Sequence, residues 1–125
     1  MNMPPSGLSG IPELTSFPVE ICLYTTAKQV VFLKNKITSV PADIGKMKSL
    51  EKLDLSGNQL TTLPAEIGQL ENLEKLFLDN NPIESLPKEL GNCKKLKTLG
   101  LKGTKLTSAQ IAEIQKMLPE CKIKT

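Results

Sequence analysis

Hydrophobic and polar positions along the chain follow neither the step of a helix nor the strict alternation of a strand. In LEKLDLSGNQL, residues 50 to 60, apolar side chains sit at offsets 0, +3, +5 and +10, and Asn58 stands at +8. The same template recurs 23 residues on as Leu73, Leu76, Leu78, Asn81 and Ile83, and again as Leu96, Leu99, Leu101, Thr104 and Leu106. One step earlier, Ala27, Val30, Phe32, Asn35 and Ile37 form a weaker copy. The intervening stretches repeat in step: FPVEICLY from Phe17, VPADIGKM from Val40, LPAEIGQL from Leu63 and LPKELGNC from Leu86. A constant period outranks local propensity, because each repeat is one structural unit that buries its apolar ridge only by stacking on neighbours.

Positions +3, +4 and +5 alternate inward, outward, inward, which predicts a short strand. The proline-containing segment that follows predicts one helical turn for the return path. Stacked coils then place the strands in a parallel sheet on one side and the turns on the other. Asn35, Asn58 and Asn81 come where the chain bends inward, and their side-chain amides are predicted to form a ladder that satisfies backbone groups of adjacent coils. Thr104 interrupts that ladder at the last copy. Gly45, Gly68 and Gly91 share one slot at the end of the helical turn, where a positive φ is expected.

Carried by LxxLxLxxNxL joined to LPxxIGxL, the chain from about Phe17 to Leu106 resembles the leucine-rich repeat, and the LPxEIGxL segment is similar to repeats common in bacterial leucine-rich-repeat proteins. The resemblance implies an α/β repeat fold. Its form would be a right-handed solenoid with a concave parallel β-sheet, short helical or 3₁₀ turns on the convex side, and a protein-binding role.

The ends depart from the repeat as covers should. LTSAQIAEIQKMLPECKIKT lacks the LPxxI segment. Thr107 with Gln110 suggests a capping box, and Ile111, Ile114 and Leu118 fall on one face of a helix of about eleven residues that stops before Pro119. A short edge strand with Cys121 and Ile123 inward follows, while Lys122 and Lys124 face out and discourage strand addition. At the other end Leu8, Ile11, Leu14 and Phe17 form a degenerate first coil, with Pro4, Pro5 and Pro12 suited to a ragged cap. One domain, 1–125, is expected: cap and degenerate repeat over 1–26, repeats over 27–106, and C-terminal cap over 107–125.

Composition changes this picture little. With 39% hydrophobic residues in 125, the chain suits a single soluble core. Burial of one leucine contributes about 1.5 to 3 kcal/mol. No run of 18 apolar residues suggests a membrane span. The start, MNMPPSGLSGIPEL, has neither a basic region nor an apolar stretch of signal-peptide type, so a cytoplasmic site is expected as written, or export if a signal peptide was removed. A monomer is expected.

Candidate chemistry is sparse. The chain has no histidine, no CxxC and three cysteines, Cys22, Cys93 and Cys121, which read as small buried hydrophobes. A Cys93 to Cys121 disulfide is conceivable from their shared proximity to the cap, although the odd count argues against a disulfide framework. No metal site or cofactor is expected. Nucleophilic Ser or Cys would need a neighbouring base, and none is offered. Asp54 with Asp79, or Glu51 with Glu74, could pair on adjacent strands, but Lys52 and Lys75 beside them favour a solvated charge lattice. Phosphate-loop patterns are absent. The expectation is a non-enzyme without a small-molecule substrate.

Binding through the outward strand positions is the reading left. These are Gln29, Lys52, Lys75 and Thr98 at +2; Val31, Asp54, Phe77 and Gly100 at +4; and Leu33, Ser56, Asp79 and Lys102 at +6. The candidate partner contacts are Gln29, Val31, Leu33, Lys52, Asp54, Lys75, Phe77, Asp79 and Lys102. Phe77 is the strongest anchor among them, since aromatics commonly anchor interfaces. A plainer reading has Val31 and Leu33 packed under the N-terminal cap and Phe77 singly exposed.

Charge is uneven: residues 1–87 hold seven lysines against ten acids, and residues 88–125 hold nine against three. Lys94, Lys95, Lys97, Lys102 and Lys105 could attract an anionic partner. All sixteen basic residues are lysine, so the arginine fork favoured for phosphate and base edges is missing. A protein partner of unknown identity is therefore expected, with a structural spacer within a larger repeat protein as the alternative and lysine-mediated nucleic-acid binding as a third reading.

Overall fold

The computed structural model describes residues 14–125. Four five-residue 3₁₀ turns, Val19–Leu23, Ala42–Lys46, Ala65–Gln69 and Lys88–Asn92, alternate with β1 (Gln29–Val31), β2 (Lys52–Asp54), β3 (Lys75–Phe77) and β4 (Thr98–Gly100). Helix α1 (Ser108–Met117) and β5 (Lys122–Lys124) follow. All five strands are parallel in the order β1-β2-β3-β4-β5. The chain is a solenoid with one strand and one return turn per coil.

Each return begins at a proline. Pro18, Pro41, Pro64 and Pro87 have φ between −68° and −72°, the value their rings preset, and each carbonyl accepts the N–H three residues on at 3.0–3.1 Å. The strands are only three residues long because the next residue already bends inward. Val30, Leu53, Leu76 and Leu99 align across the sheet at 0 or 1% exposure, confirming the inward column. Leu50, Leu55, Leu60, Ile67 and Leu70 complete a coil with no measurable exposure, so one circuit supplies a full cross-section of core.

The asparagine ladder is present. Asn58 Oδ1 accepts from the Ile37 N–H at 3.2 Å, and its amide donates to the carbonyls of Phe32 and Leu55 at 2.8 Å each. Asn81 repeats this on Leu60, Leu55 and Leu78 at 3.0, 2.9 and 3.1 Å. One side chain thus satisfies a donor and an acceptor of the preceding coil together with an acceptor of its own, groups that would be costly to bury unpaired. Asn35, at the start, is half-buried; among the described residues it accepts from the Leu14 N–H and donates to Leu33 O. Thr104 donates to Leu101 O and, among the described residues, its side chain bonds to no other coil.

The residue before each of these positions carries a left-handed backbone: Lys34 (φ 54°), Gly57 (76°), Asn80 (58°) and Gly103 (76°). This corrects the expected role of Gly45, Gly68 and Gly91, whose φ is not positive. At Gly68 the reason for glycine is lack of room, at Gly45 the nearest atom is the movable amide end of Gln69, and at Gly91 a Cβ would make ordinary contact with Met117. A Cβ on Gly68 would stand 2.5 Å from the carbonyl oxygen of Glu89, so the next turn lies directly on the backbone.

At the C-terminus α1 begins with the expected capping box: Thr107 Oγ1 accepts the Gln110 N–H at 3.2 Å, and Gln110 Oε1 accepts the Thr107 N–H at 2.8 Å. Ile114 and Leu118 are buried and Ile111 is half-buried against the core. β5 pairs with β4 so that Ile123 stands beside Leu99. In the first coil Leu14 is half-buried and the Phe17 ring meets Phe32 edge-on at 5.5 Å. Leu8, Ile11, Pro4, Pro5 and Pro12 lie outside the described residues. No described helix is long and apolar enough to cross a membrane.

Candidate functional site

Because successive side chains on a strand point to opposite faces, the residues flanking each buried leucine must share the outer face of the sheet. The register makes them columns. One runs Gln29, Lys52, Lys75, Thr98, Lys122, and the next runs Val31, Asp54, Phe77, Gly100, Lys124. Just beyond the strands Leu33, Ser56, Asp79 and Lys102 extend the face, tied by backbone bonds from Lys34 N to Ser56 O, Gly57 N to Asp79 O and Asn80 N to Lys102 O. All nine candidate contacts lie along this surface. Gln29, Lys75 and Lys102 are exposed, and Val31, Leu33, Lys52, Asp54, Phe77 and Asp79 are half-buried.

Phe77 does not stand free. The Lys52 ammonium lies 5.9 Å from its ring centroid, within cation–π range. On the other side the ring leans over Gly100: a Cβ there would be 2.9 Å from Phe77 Cδ1 and closer still to Asp79 Oδ1. Gly100 is consequently buried although its position points outward. Asp79 Oδ1 is itself buried with no hydrogen-bond partner. Asp54 is otherwise engaged, its Oδ1 accepting from Ser56 N at 3.1 Å and Ser56 Oγ at 2.8 Å.

In the suggested carboxylate pairs, Asp54, Glu51 and Glu74 are taken up elsewhere. Asp54 lies beside Phe77 in the register, with Asp79 two residues beyond it. Glu51 reaches Lys28 at 4.0 Å and Glu74 reaches Lys97 at 3.8 Å, as exposed ion pairs of the expected lattice. All three cysteines are free and buried. Burial pushes the Cys93 thiol up to about 11 and raises those of Cys22, where Asp43 adds to the effect, and Cys121. They therefore stay protonated, and Cys93 Sγ donates to Ile67 O at 3.3 Å. Among the described residues no group of three His, Cys, Asp or Glu could hold a metal. Two grooves beside α1, of about 190 and 210 Å³, involve Met117 and neighbours and lie away from the sheet face.

The sequence reading sets Lys122 and Lys124 facing out on an edge strand, as the structure has them, but does not count them among the partner contacts. Leu99 to Ile123 is a step of 24, so the 23-residue template stops short of them, yet the sheet register carries both columns on to β5.

A sequence profile described as leucine-rich repeat region matches residues 28–120. The chain belongs to the leucine-rich-repeat family. Among solved structures, a leucine-rich-repeat protein of Leptospira interrogans is 39% identical, with a TM-score of 0.88 over 90% of this chain and 29% of that one. An internalin of Listeria monocytogenes, at 19% identity and a TM-score of 0.75, is covered over 31% of its length by 87% of this chain. A plant peptide hormone receptor in complex with RGF2 gives 22% identity and a TM-score of 0.72, over 87% of this chain and 18% of the receptor. The last two establish the shared solenoid fold. No curated protein matches the sequence. This leucine-rich-repeat chain spans about a third or less of the length of each of these structures.

Proposed function

We propose that the protein is a non-catalytic interaction module that binds a protein partner on the outer face of its sheet. The observation that supports this is the cluster at its centre, where Phe77 is held between Lys52 and Gly100 with Asp54 and Asp79 nearby. A ring fixed in this way loses little further freedom on association, which is what an interface anchor requires. Gln29, Val31, Leu33, Lys75 and Lys102 surround it as contacts. The plant receptor in complex with RGF2 lends support, since it is a solenoid of the same fold.

The test is capture of a partner from lysate of the source cells. Phe77→Ala or Asp54→Lys abolishes capture while the melting temperature shifts by only a few degrees, and Lys48→Glu, away from the sheet, leaves capture intact. Undiminished capture by the face variants overturns the proposal. A second reading, a spacer within a longer solenoid, draws support from the 29% coverage of the Leptospira structure. It predicts that no face variant changes capture.

A further inference from the structure

The geometry points to an acidic polypeptide segment as the partner, lying across β3, β4 and β5; this rests on the binding role assigned above to the sheet face. The two halves of that face differ in charge. In the three outer columns on β1 and β2, Lys52 and Asp54 balance, beside Gln29, Val31, Leu33 and Ser56, with Lys34 in the bend after them. On β3 to β5, Lys75, Lys102, Lys122 and Lys124 face a single acid, Asp79, whose Oδ1 is turned in and buried.

The lysines at the entrance to the strands provide a contrast. Lys28 and Lys97 each have a carboxylate within 4.0 Å, Glu51 and Glu74 respectively, supplied by the neighbouring coil. Among the described residues no carboxylate comes within that distance of Lys75, Lys102, Lys122 or Lys124. Lys52 and Lys75 are direct register partners, so two lysines stand in neighbouring positions of one column, the Lys52 ammonium turned over Phe77. Like charges so placed repel one another, and an anionic ligand relieves the repulsion on binding. The fold can neutralise a lysine row, as the entrance row proves, and it leaves this one unneutralised.

The dimensions suit an extended chain. Two inter-strand steps span about 10 Å, the length of about three extended residues, so a short run of glutamates or aspartates crosses the lysines while its next apolar residue reaches Phe77. A nucleic acid is a poorer match, because the sixteen cations include no arginine and Phe77 is the one aromatic among the outer-column residues, so successive bases find no run of stacking platforms.

Fluorescence anisotropy with a labelled hexaglutamate peptide bearing one leucine tests the inference. Matched hexaglutamine and a twelve-nucleotide thymidine strand serve as competing probes. Hexaglutamate binds at least about tenfold more tightly than either, and weakens about tenfold as sodium chloride rises from about 50 to about 300 mM. The triple variant Lys75→Glu, Lys102→Glu, Lys122→Glu loses the binding. The equally charged Lys88→Glu, Lys94→Glu, Lys95→Glu, on the turn side, retains it. Melting curves for both triples establish that they fold, since every residue changed is exposed. Equal binding of hexaglutamine, equal loss in both triples, or preference for the thymidine strand overturns the inference. If Phe77→Ala still abolishes lysate capture in that event, the sheet face remains the binding surface and only the acidic partner is lost.

Discussion

The coils of β2 and β3 and the coil that precedes them use one template but do not hold it equally well. In the middle coils Met47 and Leu70 fill a core slot with no exposure, whereas Tyr24 in the same slot is 45% exposed. Leu23 is 73% exposed where Lys46 and Gln69 stand in later turns. Cys22 occupies the slot that is Gly45, Gly68 and Gly91 elsewhere, and is buried there. The lesson is that the slots of the template differ in tolerance: the proline and the buried Ile21 that set the turn on its neighbour are kept, while the positions after them vary in identity and exposure.

The largest effect that sharpens this comparison is in the core column. Leu76→Ala is expected to destabilise by about 2 to 5 kcal/mol. Val30→Ala, in the same column of the first strand, loses only two methyl groups and costs about 1.5 kcal/mol. Urea unfolding measures both, with Lys75→Ala as a reference expected within about 0.5 kcal/mol of wild type. A Lys75 variant as unstable as the Leu76 variant would reverse the strand's faces.

Next comes the ladder. Asn81→Ala takes the side-chain partner from the Leu60 N–H and the Leu78 carbonyl in a site of 1% exposure, while Leu55 O keeps Asn58, and should cost about 2 to 4 kcal/mol. Asn35→Ala, in a half-buried site bonded among the described residues to Leu14 N and Leu33 O, should cost about 1 kcal/mol. Equal losses would mean that the first rung is as demanding as the interior ones.

Smaller again is the left-handed slot. Gly57→Ala should destabilise by about 1 to 2 kcal/mol, since its φ is positive and a Cβ would meet Lys34 N at 3.2 Å. Lys34→Gly should stabilise by up to about 1 kcal/mol, because the first coil already carries that strain. A loss on Lys34→Gly breaks the symmetry assumed between the two coils.

The smallest effect is alkaline. Cys93 is neutral in the folded state up to about 11, against 9.0 for the free thiol, so the unfolded chain ionises first. Its contribution is complete below 9 and declines as pH rises toward 11, amounting to about 1 kcal/mol lost by pH 10. Comparing wild type with Cys93→Ala from pH 8 to 10 isolates this, since other groups titrate in both. A stability difference that stays constant with pH would sink it.

What could be read from the sequence was whatever repeats. The period gave the inward column, the asparagine ladder, the proline-led turns and the outer columns as far as Lys102; Thr107 and Gln110 announced the helix. The rest depends on distances between coils, which a one-dimensional pattern does not contain. Lys34 and Asn80 hide the left-handed slot because neither is glycine. The nesting of Phe77 and Asp79 over Gly100 is a cross-coil contact, and β5 joins the face only after one residue has been added to the period. Leu8 and Ile11 lie outside the described residues.

The tight seat of Gly68 against Glu89 O has a consequence for the arc of the molecule. Strands are fixed about 4.8 Å apart by their hydrogen bonds, so the bend of the stack is governed by how far apart the turns on the opposite side are held. Glycine at this position lets the two turns close in and flattens the arc there, and a Cβ on Gly68 would push them apart and deepen the hollow. A methyl group placed there would thus change the outline offered to a visitor on the far side, with no atom of the contact surface altered.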